Sequence, residues 1–555
     1  MDVLLDDAEY IFECKADPNH PKTPSNRSYK YTYTYEDQPV KLKSGDNVSL
    51  VTGGLGLSNF EHDPALRQVS FTLGQDKDVP PVINITSGGP LTTEVLKEGL
   101  LRYITAQIEV FKNPTTSDCY PAITQLLKRK HPNVGNHDRE QSLIDPSIDD
   151  PQHKLSNMIN VVSLLDKSTL FIQGPPGTGK TYVGARIVAH LLKNKKKIGI
   201  ASNSHKAIHN LLERVEELAL KEHIEFIGIK KSSGKGDSEF DGHFIKNMTD
   251  NKKISQSTFD LLAGTAWLFS REEFDQKLDY LIIDEAGQVS LANFIAMGTC
   301  AKNILLLGDQ MQLNQPIQGL HPGDSGLSCL DYLLRGEATI SPSMGIFLDT
   351  TYRMNPAITR FISEAIYDGR LISAPTTEKQ QIKCSETFTL PSHGIQCIPM
   401  NHQGRSQVSI EEAQWINSCI QDLLSQSFID KDGRSHALTL EDILIVTPYN
   451  QQVLLLQKTL PEGARVGTVD KFQGQEAMVV IVSMVTSSAE YMPRNIDFLF
   501  SKNRLNVALT RAKALSLLVF NPELLNTPCN TPEQMALVDM LCWLWQEYGV
   551  THDVQ

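Results

Sequence analysis

A glycine-rich segment at residues 174–181 carries the first residues whose types and spacing could do chemistry. It has the spacing GxxxxGKT, follows the apolar run 168–173 and precedes a helical pattern at 182–192. In this setting the backbone can curl so that its N–H groups face phosphates, and the helix N-terminus adds partial positive charge. Lys180 would contact the β- and γ-phosphates, and Thr181 would ligate Mg²⁺. We therefore predict an ATP site formed by Gly174, Pro175, Pro176, Gly177, Thr178, Gly179, Lys180, Thr181 and Tyr182.

Two adjacent carboxylates, Asp284 and Glu285, end another apolar run further along the chain. Successive side chains diverge at the end of a strand, so the two groups can take different roles. Asp284 can hold Mg²⁺ through water, and Glu285 can polarise the attacking water. Together with the upstream loop, this pair predicts hydrolysis of the nucleotide and not binding alone.

Short apolar runs that alternate with helical segments must position these residues. Runs of this length, separated by helices, predict parallel sheets built from βαβ units. The first set lies at 168–173, 198–202, 260–265, 280–283 and 304–307, and the second at 346–348, 443–446, 466–469, 478–484 and 515–520. The predicted fold class is α/β, with two tandem parallel-sheet domains at 153–325 and 326–527 and a C-terminal helix or tail at 528–555.

The N-terminal part of the chain shows a different pattern. Tyr29, Tyr31, Tyr33 and Tyr35 alternate with polar residues, which is the period of a half-buried strand. With further short strands, residues 1–92 predict a small β-barrel, in which the tyrosines form a core face in preference to a surface that stacks bases. Residues 93–152 predict a helical stalk or connector.

Composition limits the class of protein. The chain has 555 residues and a net charge of −13, which argues weakly against wrapping duplex DNA by bulk charge but leaves room for a narrow single-strand groove. The nine cysteines are scattered without a CxxC pair, so neither a zinc ribbon nor a disulfide framework is indicated. We find no signal sequence and no membrane-length apolar stretch, which predicts a cytoplasmic protein.

Five further motifs follow the phosphate loop and the acidic pair in order. They are GDQMQ at 308–312, TYRMNP at 351–356, TPY at 447–449, GTVDKFQGQE at 467–476 and LNVALTRAK at 505–513. The series resembles that of superfamily 1 helicases, most closely the up-frameshift-like group B branch. The segments SNSHKA at 202–207, AGTAW at 263–267 and QPIQGLHPGDSG at 315–326 further resemble the helicase half of bacterial RecB-like nuclease and helicase proteins.

This resemblance implies two RecA-like domains with an accessory barrel on a stalk, and it implies roles for individual residues. Gln312 would sense the γ-phosphate, Arg353 and Arg511 would reach across from the second domain as arginine fingers, and Glu476 would contact the ribose or couple the domains. Up-frameshift relatives read adenine with a glutamine where this chain has Asn157, so adenine specificity is in question.

The resemblance also implies contacts to a nucleic-acid strand through small hydroxyl and amide side chains, which suit phosphate and sugar. Thr265 and Thr468 could instead simply end strands, and His205 could be a helix cap. The candidate contacts are Asn203, Ser204, His205, Thr265, Thr447, Tyr449 and Thr468.

The expected function is that of an ATP-dependent helicase or translocase on single-stranded nucleic acid, DNA in preference to RNA, moving 5′-to-3′ as group B resemblance implies. The alternative is an ATP-driven clamp or switch that docks a separate nuclease or other effector, and a small-molecule kinase is disfavoured because it needs only one such core. A fragment with Asp6, Asp7, Glu13 and Lys15 is reminiscent of a nuclease core, but its spacing is short.

Overall fold

The computed structural model describes residues 10–25, 27–36, 38, 40–88, 92–135, 137, 140–234, 236–313, 321–386, 388–472 and 474–549. Asp6, Asp7, Gln473 and residues 315–320, which enter the sequence analysis, lie outside the described residues. The chain divides into two compact units, one of residues 92–378 and the other of residues 1–91 together with 379–555. No helix in the described part of the chain combines the length and the apolar character needed to cross a membrane.

The described residues of the N-terminal region form seven antiparallel strands. They are β1 (Tyr10–Ala16), β2 (Thr23–Ser25), β3 (Ser28–Thr34), β4 (Val48–Leu50), β5 (Gly56–Asp63), β6 (Gln68–Gly74) and β7 (Val82–Ser87). Their order is β1-β7-β4-β5-β6-β3-β2, and β1 also pairs with β3. Six strands therefore close into a barrel, which confirms the predicted barrel.

The tyrosine stripe of β3 faces the inside of this barrel. Tyr31 and Tyr33 are buried and both rings stack on Phe71, with centroid distances of 5.8 and 5.7 Å. Tyr35, just beyond the strand, is buried as well. The core interpretation is thus confirmed, and these three rings offer no face to a nucleic-acid base.

An eight-stranded, fully parallel sheet forms the centre of the unit 92–378. Its order is β11-β10-β12-β9-β13-β14-β8-β15. The strands are β8 (Thr169–Gln173), β9 (Ile198–Ala201), β10 (Gly228–Lys231), β11 (Ile245–Met248), β12 (Leu261–Gly264), β13 (Leu278–Ile283), β14 (Ala301–Gly308) and β15 (Gly345–Phe347), with a small pair β16 (Thr350–Thr351) and β17 (Ile372–Ser373) beside them.

All five runs of the first predicted set are strands of this sheet. The run at 346–348, however, corresponds to β15, which pairs with β8 and so extends the first sheet and not the second. The compact unit of the first sheet extends to residue 378, beyond the predicted boundary at 325/326, which stays a prediction. The pairing partner of a short buried strand depends on long-range packing, which the local pattern does not contain.

Ten α-helices accompany the first sheet within the described residues. They are α1 (Glu94–Lys112), α2 (Pro121–Leu127), α3 (Pro151–Ser163), α4 (Lys180–Lys193), α5 (His205–Glu222), α6 (Asn251–Gln256), α7 (Ala266–Phe269), α8 (Leu291–Gly298), α9 (Cys329–Leu334) and α10 (Pro356–Ile366). The predicted stalk region contains α1 and α2. Helix α1 packs on α8 so closely that a Cβ at Gly99 would lie 2.9 Å from the backbone oxygen of Ala296.

The second parallel sheet has five strands in the order β19-β25-β24-β22-β23. The four remaining runs of the second predicted set are β22 to β25, whereas β19 was not predicted. The strands are β18 (Gln381–Lys383), β19 (Gly394–Pro399), β20 (Ser427–Ile429), β21 (Ser435–Ala437), β22 (Ile443–Val446), β23 (Arg465–Gly467), β24 (Ala477–Ser483) and β25 (Ala512–Phe520), of which β18, β20 and β21 form a separate antiparallel sheet. The helices are α11 (Ile410–Leu424), α12 (Asn450–Thr459), α13 (Ile496–Leu499), α14 (Lys502–Leu509) and α15 (Pro532–Tyr548).

Candidate nucleotide site

The glycine-rich loop joins the carboxyl end of β8 to the first turn of α4. Gly177 and Gly179 have φ values of +78° and +82°, which glycine adopts without steric cost. The N–H of Gly174 donates to the oxygen of Gly308 at 2.9 Å and so ties the start of the loop to the end of β14. The loop therefore curls around the N-terminus of α4, as a phosphate cradle requires.

Lys180 lies across this loop. Its Nζ donates to the oxygen of Gly174 at 2.7 Å, and a Cβ on Gly174 would lie only 2.1 Å from Lys180 Cγ. Only glycine leaves room for the lysine to cross at this point. The Thr181 hydroxyl is partly exposed and has no hydrogen-bond partner among the described residues, so it is available to a metal ion. These features fit a nucleotide triphosphate with its divalent cation.

The acidic pair follows β13 at the same edge of the sheet. Asp284 is buried, and burial together with Glu285 raises the pKa of its carboxyl group to about 7, while the charge of Lys180 opposes the rise. Glu285 has a φ of +53°, which is rare for a residue with a side chain and typical of functional sites. The N–H of Glu285 donates to Asp284 Oδ1 at 3.0 Å, and the separate roles of the two carboxylates stay predictions.

A third acid, Asp309, belongs to the GDQMQ motif, but the sequence predicts no role for it. It follows β14, is buried, and accepts hydrogen bonds on Oδ2 from Gln312 Nε2 at 2.9 Å and Tyr367 Oη at 2.7 Å. Burial raises the pKa of Asp309, against the opposing charge of Lys180 and these hydrogen bonds. Gln312, the predicted γ-phosphate sensor, is thereby held at the edge that carries the glycine-rich loop. The sequence gives no signal for Tyr367, because it lies far from the motif that it supports.

Arg353 lies beside the glycine-rich loop. A Cβ on Gly177 would come within 2.5 Å of Arg353 Cβ, the N–H of Tyr352 donates to Gly177 oxygen at 2.9 Å, and Thr351 Oγ1 donates to Pro176 oxygen at 2.9 Å. Arg353 thus belongs to the same unit as the loop, which corrects the prediction that it reaches across from the second domain. The correction follows from β15, which brings this segment to the first sheet.

Two predicted nucleotide contacts lie on helices near the loop. Tyr182, in the first turn of α4, is 48% exposed, and the guanidinium of Arg186 lies 4.5 Å from the centre of its ring. Asn157 is half-buried on α3. Nothing in these contacts shows a group that reads adenine.

The predicted functional residues of the second parallel sheet lie at two opposite edges. Arg511 and Glu476 directly precede β25 and β24, so they lie at the amino edge. Arg511 is 3% exposed and donates from Nη1 to Gln475 oxygen at 3.3 Å, while Glu476 forms an ion pair with Lys513 at 2.9 Å. Their roles as arginine finger and ribose or coupling contact stay predictions.

The predicted strand contacts of the first sheet gather at its carboxyl edge. Asn203 donates to the oxygen of Gln288, and Ser204 caps α5 by accepting from Ala207 N at 3.1 Å. The cap is therefore Ser204 and not His205, whose Nδ1 lies 2.9 Å from the buried Lys230 Nζ. Thr265 follows β12 and precedes α7, so it does end a strand, and its contact role stays a prediction.

The predicted strand contacts of the second sheet are buried. Thr447 and Tyr449 follow β22 with no exposed surface, and Thr468 follows β23 and is nearly buried. Tyr449 packs its ring on Phe498 and places its hydroxyl 3.3 Å from Thr486 Oγ1. A side chain without exposed surface cannot contact a strand, so the predicted contacts at Thr447 and Tyr449 are wrong for this conformation.

The fold and the site together define a P-loop protein with two RecA-like domains and an accessory barrel. Family models for the AAA domain match residues 158–317 and 328–523. ATP-dependent helicase NAM7 of Saccharomyces cerevisiae is 27% identical over 559 residues, covering 88% of this chain and 54% of that protein. DNA polymerase alpha-associated DNA helicase A of Schizosaccharomyces pombe is 26% identical, covering 63% of this chain and 60% of that protein.

A third relative is the DNA replication ATP-dependent helicase/nuclease JHS1 of Arabidopsis thaliana, 28% identical over 64% of this chain and 27% of its own length. Crystalline Arterivirus nonstructural protein 10, a helicase, is 12% identical with a TM-score of 0.40 over 93% of this chain and 80% of that chain, a likeness too remote to carry an argument. The chain spans about half the length of the first of these curated relatives. It carries two AAA domains and is homologous to superfamily 1 helicases of the up-frameshift-like group.

Proposed function

We propose that this chain is an ATP-dependent superfamily 1 helicase or translocase that acts on single-stranded nucleic acid and moves 5′-to-3′. The observation that carries the proposal is the convergence of Lys180, Asp284 and Asp309 at one edge of the first sheet, where the lysine lies within electrostatic reach of both buried acids. Such a group of charges around a glycine-rich loop suits ATP hydrolysis. A second parallel sheet, with its own buried arginine, supports a motor over a single-core enzyme.

In the proposed mechanism the loop N–H groups and Lys180 bind the phosphates. Thr181 and Asp284 would hold Mg²⁺, which when bound supplies positive charge that offsets the charge developing on the transferred phosphoryl group. Glu285 would orient and polarise the attacking water. Gln312, fixed by Asp309, would link the γ-phosphate to that water, and Arg353 would stabilise the phosphoryl charge from beside Gly177.

Movement requires that the two RecA-like domains bind the strand alternately as ATP binds and is hydrolysed. Arg511, on the second sheet, would sense the nucleotide and convert its state into a change of strand affinity. We propose DNA before RNA as the polymer, and the names of two relatives, DNA helicase A and the DNA replication helicase/nuclease JHS1, support this choice. Cytoplasmic location stays a prediction.

The second candidate function is a nucleic-acid-stimulated ATPase clamp that docks a separate nuclease or other effector without processive unwinding. The name of one relative, a helicase/nuclease in which the match covers 27% of the length, favours keeping this candidate. Unwinding assays on duplexes with 5′ or 3′ single-stranded overhangs separate the two, because a clamp hydrolyses ATP without releasing strands.

The test of the nucleotide site is ATP turnover of the purified protein, alone and with single-stranded DNA, single-stranded RNA or duplex of matched length at fixed low salt. Strong stimulation by one single strand supports a motor and identifies its polymer. Lys180→Ala should reduce turnover to background, because the positive charge across the loop is lost. Lys193→Ala, at the exposed opposite end of the same helix, is the matched control. Unchanged turnover in Lys180→Ala would overturn the site assignment.

A further inference from the structure

The loops at the carboxyl edge of the second sheet are joined by one buried polar network. Helix α11 supplies its centre, Glu412, whose side chain is fully buried. Ser483 Oγ donates to Glu412 Oε2 at 2.6 Å, and the N–H of Val485 donates to both carboxylate oxygens at 3.1 Å. One carboxylate thus binds the end of β24 and the segment 484–488 that follows it, named here the 484–488 loop.

A histidine extends this network to the loop that follows β19. His402 Nε2 lies 3.1 Å from Glu412 Oε1, and His402 Nδ1 lies 2.8 Å from Ser487 Oγ. The N–H of Arg405 donates to Ser487 Oγ at 3.0 Å. Each bond has a donor if His402 carries its proton on Nε2 and accepts from Ser487 on Nδ1. The order of serine, histidine and carboxylate is that of a hydrolase triad, but all three side chains are buried, so the network is structural and not a nucleophile site.

The 484–488 loop needs this support because its backbone is strained. Val485 has a φ of +70°, a conformation that is a genuine outlier for a β-branched residue. Strained residues of this kind persist only where the surroundings hold them, and they cluster at functional sites. The Val485 N–H donates to both oxygens of Glu412, and the flanking N–H groups of Met484 and Thr486 donate to the oxygens of Val519 and Met484 at 3.0 and 2.7 Å. Glu412 is the only side chain that binds the backbone of Val485 itself among the described contacts.

The same loop contacts Tyr449, one of the residues expected to contact a strand. Thr486 Oγ1 donates to Ser406 oxygen at 3.0 Å and lies 3.3 Å from the hydroxyl of Tyr449, which is buried. At this edge the residues Ser406 and Ser488 are partly exposed, and each carries a small hydroxyl. Small hydroxyls on fixed loops suit contacts to phosphate and sugar.

We propose that Glu412 is a positioning residue that holds the 484–488 loop in its strained conformation, so that Ser406 and Ser488 contact the sugar–phosphate backbone of the single strand. This inference rests on the proposed function and replaces Thr447 and Tyr449 as strand contacts of the second sheet. The carboxylate does not touch the strand. It acts through the backbone of Val485 and through His402.

The first test is the concentration of single-stranded DNA, or of RNA if that polymer stimulates, that gives half-maximal ATPase stimulation. Glu412→Gln keeps the size but turns an amide N–H group toward existing donors, so we expect this concentration to rise about tenfold or more. Ser488→Ala should raise the half-maximal concentration by a smaller factor. Glu441→Gln makes the same change on an exposed residue at the amino edge of this sheet and should match the wild type.

A general loss of stability is separated from positioning by a second substitution. Glycine adopts a φ of +70° without strain, so Val485→Gly should lower the half-maximal concentration again when added to Glu412→Gln. A merely structural role for Glu412 predicts the opposite, because Val485→Gly also removes a buried side chain. A double variant that is worse than Glu412→Gln alone would overturn the inference.

The outcome also separates this inference from the proposed function. If no nucleic acid binds or stimulates the wild type, both the proposed function and this inference are wrong. If the wild type is stimulated and Glu412→Gln and Ser488→Ala respond to the strand as the wild type does, the inference alone is wrong.

Discussion

Arg511 is almost fully buried at the amino edge of the second sheet, and its guanidinium is held by the backbone of Gln475. A planar, permanently charged fork stabilises the charge of a transferred phosphoryl group far better than an ammonium does. We expect Arg511→Ala to lower ATP turnover by about 10³-fold while nucleotide affinity is nearly kept. The measurement is kcat together with nucleotide affinity by equilibrium binding.

Arg511→Lys belongs in the same experiment, since it keeps the charge but not the fork. A large loss of nucleotide binding with normal turnover would contradict the finger role. Thermal unfolding of both variants shows whether the buried position tolerates the change.

His205 supports a prediction about pH. Its Nδ1 faces the buried Lys230, and burial, Lys230 and His209 lower the pKa of His205 from 6.5 to about 4, against the weaker opposing charge of Asp237. The unfolded chain gains this proton below pH 6.5 and the folded chain only below about 4. The free energy of unfolding therefore falls as the pH drops through that window, by about 1–2 kcal/mol after a discount for the half-exposed ring.

The measurement is thermal unfolding at several pH values between 4 and 6.5 for the wild type and His205→Asn. The amide oxygen of asparagine can accept from Lys230 but does not titrate. We expect the variant to lose less stability in acid than the wild type does. Parallel pH profiles for the two proteins would show that His205 does not contribute.

Individual site residues could be predicted from the sequence where the chemistry is local. Lys180, Thr181 and Asp284 follow from short motifs in their strand and helix context, and each lies where that context puts it. The support of Asp309 by Tyr367 and the burial of Tyr449 against Phe498 depend on packing between distant segments. No local pattern carries that information.

At the scale of elements, strands with long apolar runs were predicted and short polar ones were not. β10 and β11 have four residues each and contain lysines, so their hydrophobic pattern is too weak to identify. β15 was found but assigned to the wrong sheet, because three buried residues do not reveal which strand they join. The composition of a segment predicts whether it forms a strand, whereas the strand with which it pairs depends on the rest of the fold.

The contact between α1 and α8 supports a prediction at this scale. Gly99→Ala would gain up to about 1 kcal/mol of helix propensity but would place Cβ 2.9 Å from the backbone oxygen of Ala296. A backbone atom moves only with its helix, so we expect the cost of overpacking to exceed the gain in helix propensity. The free energy of unfolding should therefore fall by about 1–2 kcal/mol. Chemical denaturation measures the difference.

Gly184→Ala on α4 is the matched comparison. Its Cβ would lie 2.7 Å from Leu307 Cδ1, the far end of a side chain that can rotate away. We expect this variant to be close to neutral. Equal destabilisation by the two substitutions would show that α1 does not depend on its close approach to α8.

At the scale of the whole molecule, the two compact units do not follow the order of the chain. Residues 1–91 group with 379–555, and the unit between them contains the glycine-rich loop. Local sequence patterns can only predict boundaries that follow one another along the chain.

The barrel has a core of its own, built around Tyr31, Tyr33 and Phe71 and separate from the cores of the two parallel sheets. Deletion of residues 1–88 should therefore leave both sheets folded. We expect weaker or altered strand binding with basal ATP turnover retained. Turnover and strand affinity of the truncated protein are the measurements, and loss of all turnover in a folded truncation would contradict the accessory role.

The length of strand β24 fixes the distance between the two edges of the second parallel sheet. The strand begins directly after Glu476, all seven of its residues are buried, and it ends at the strained turn of Val485. At about 3.3 Å per residue, its length fixes the separation of the sheet's two functional edges at about 20 Å. One residue inserted without a bulge would turn every following side chain of β24 to the opposite face. The neighbouring β25 takes up one extra residue between Ala512 and Leu515 as a bulge, so a change in the span requires this kind of compensation.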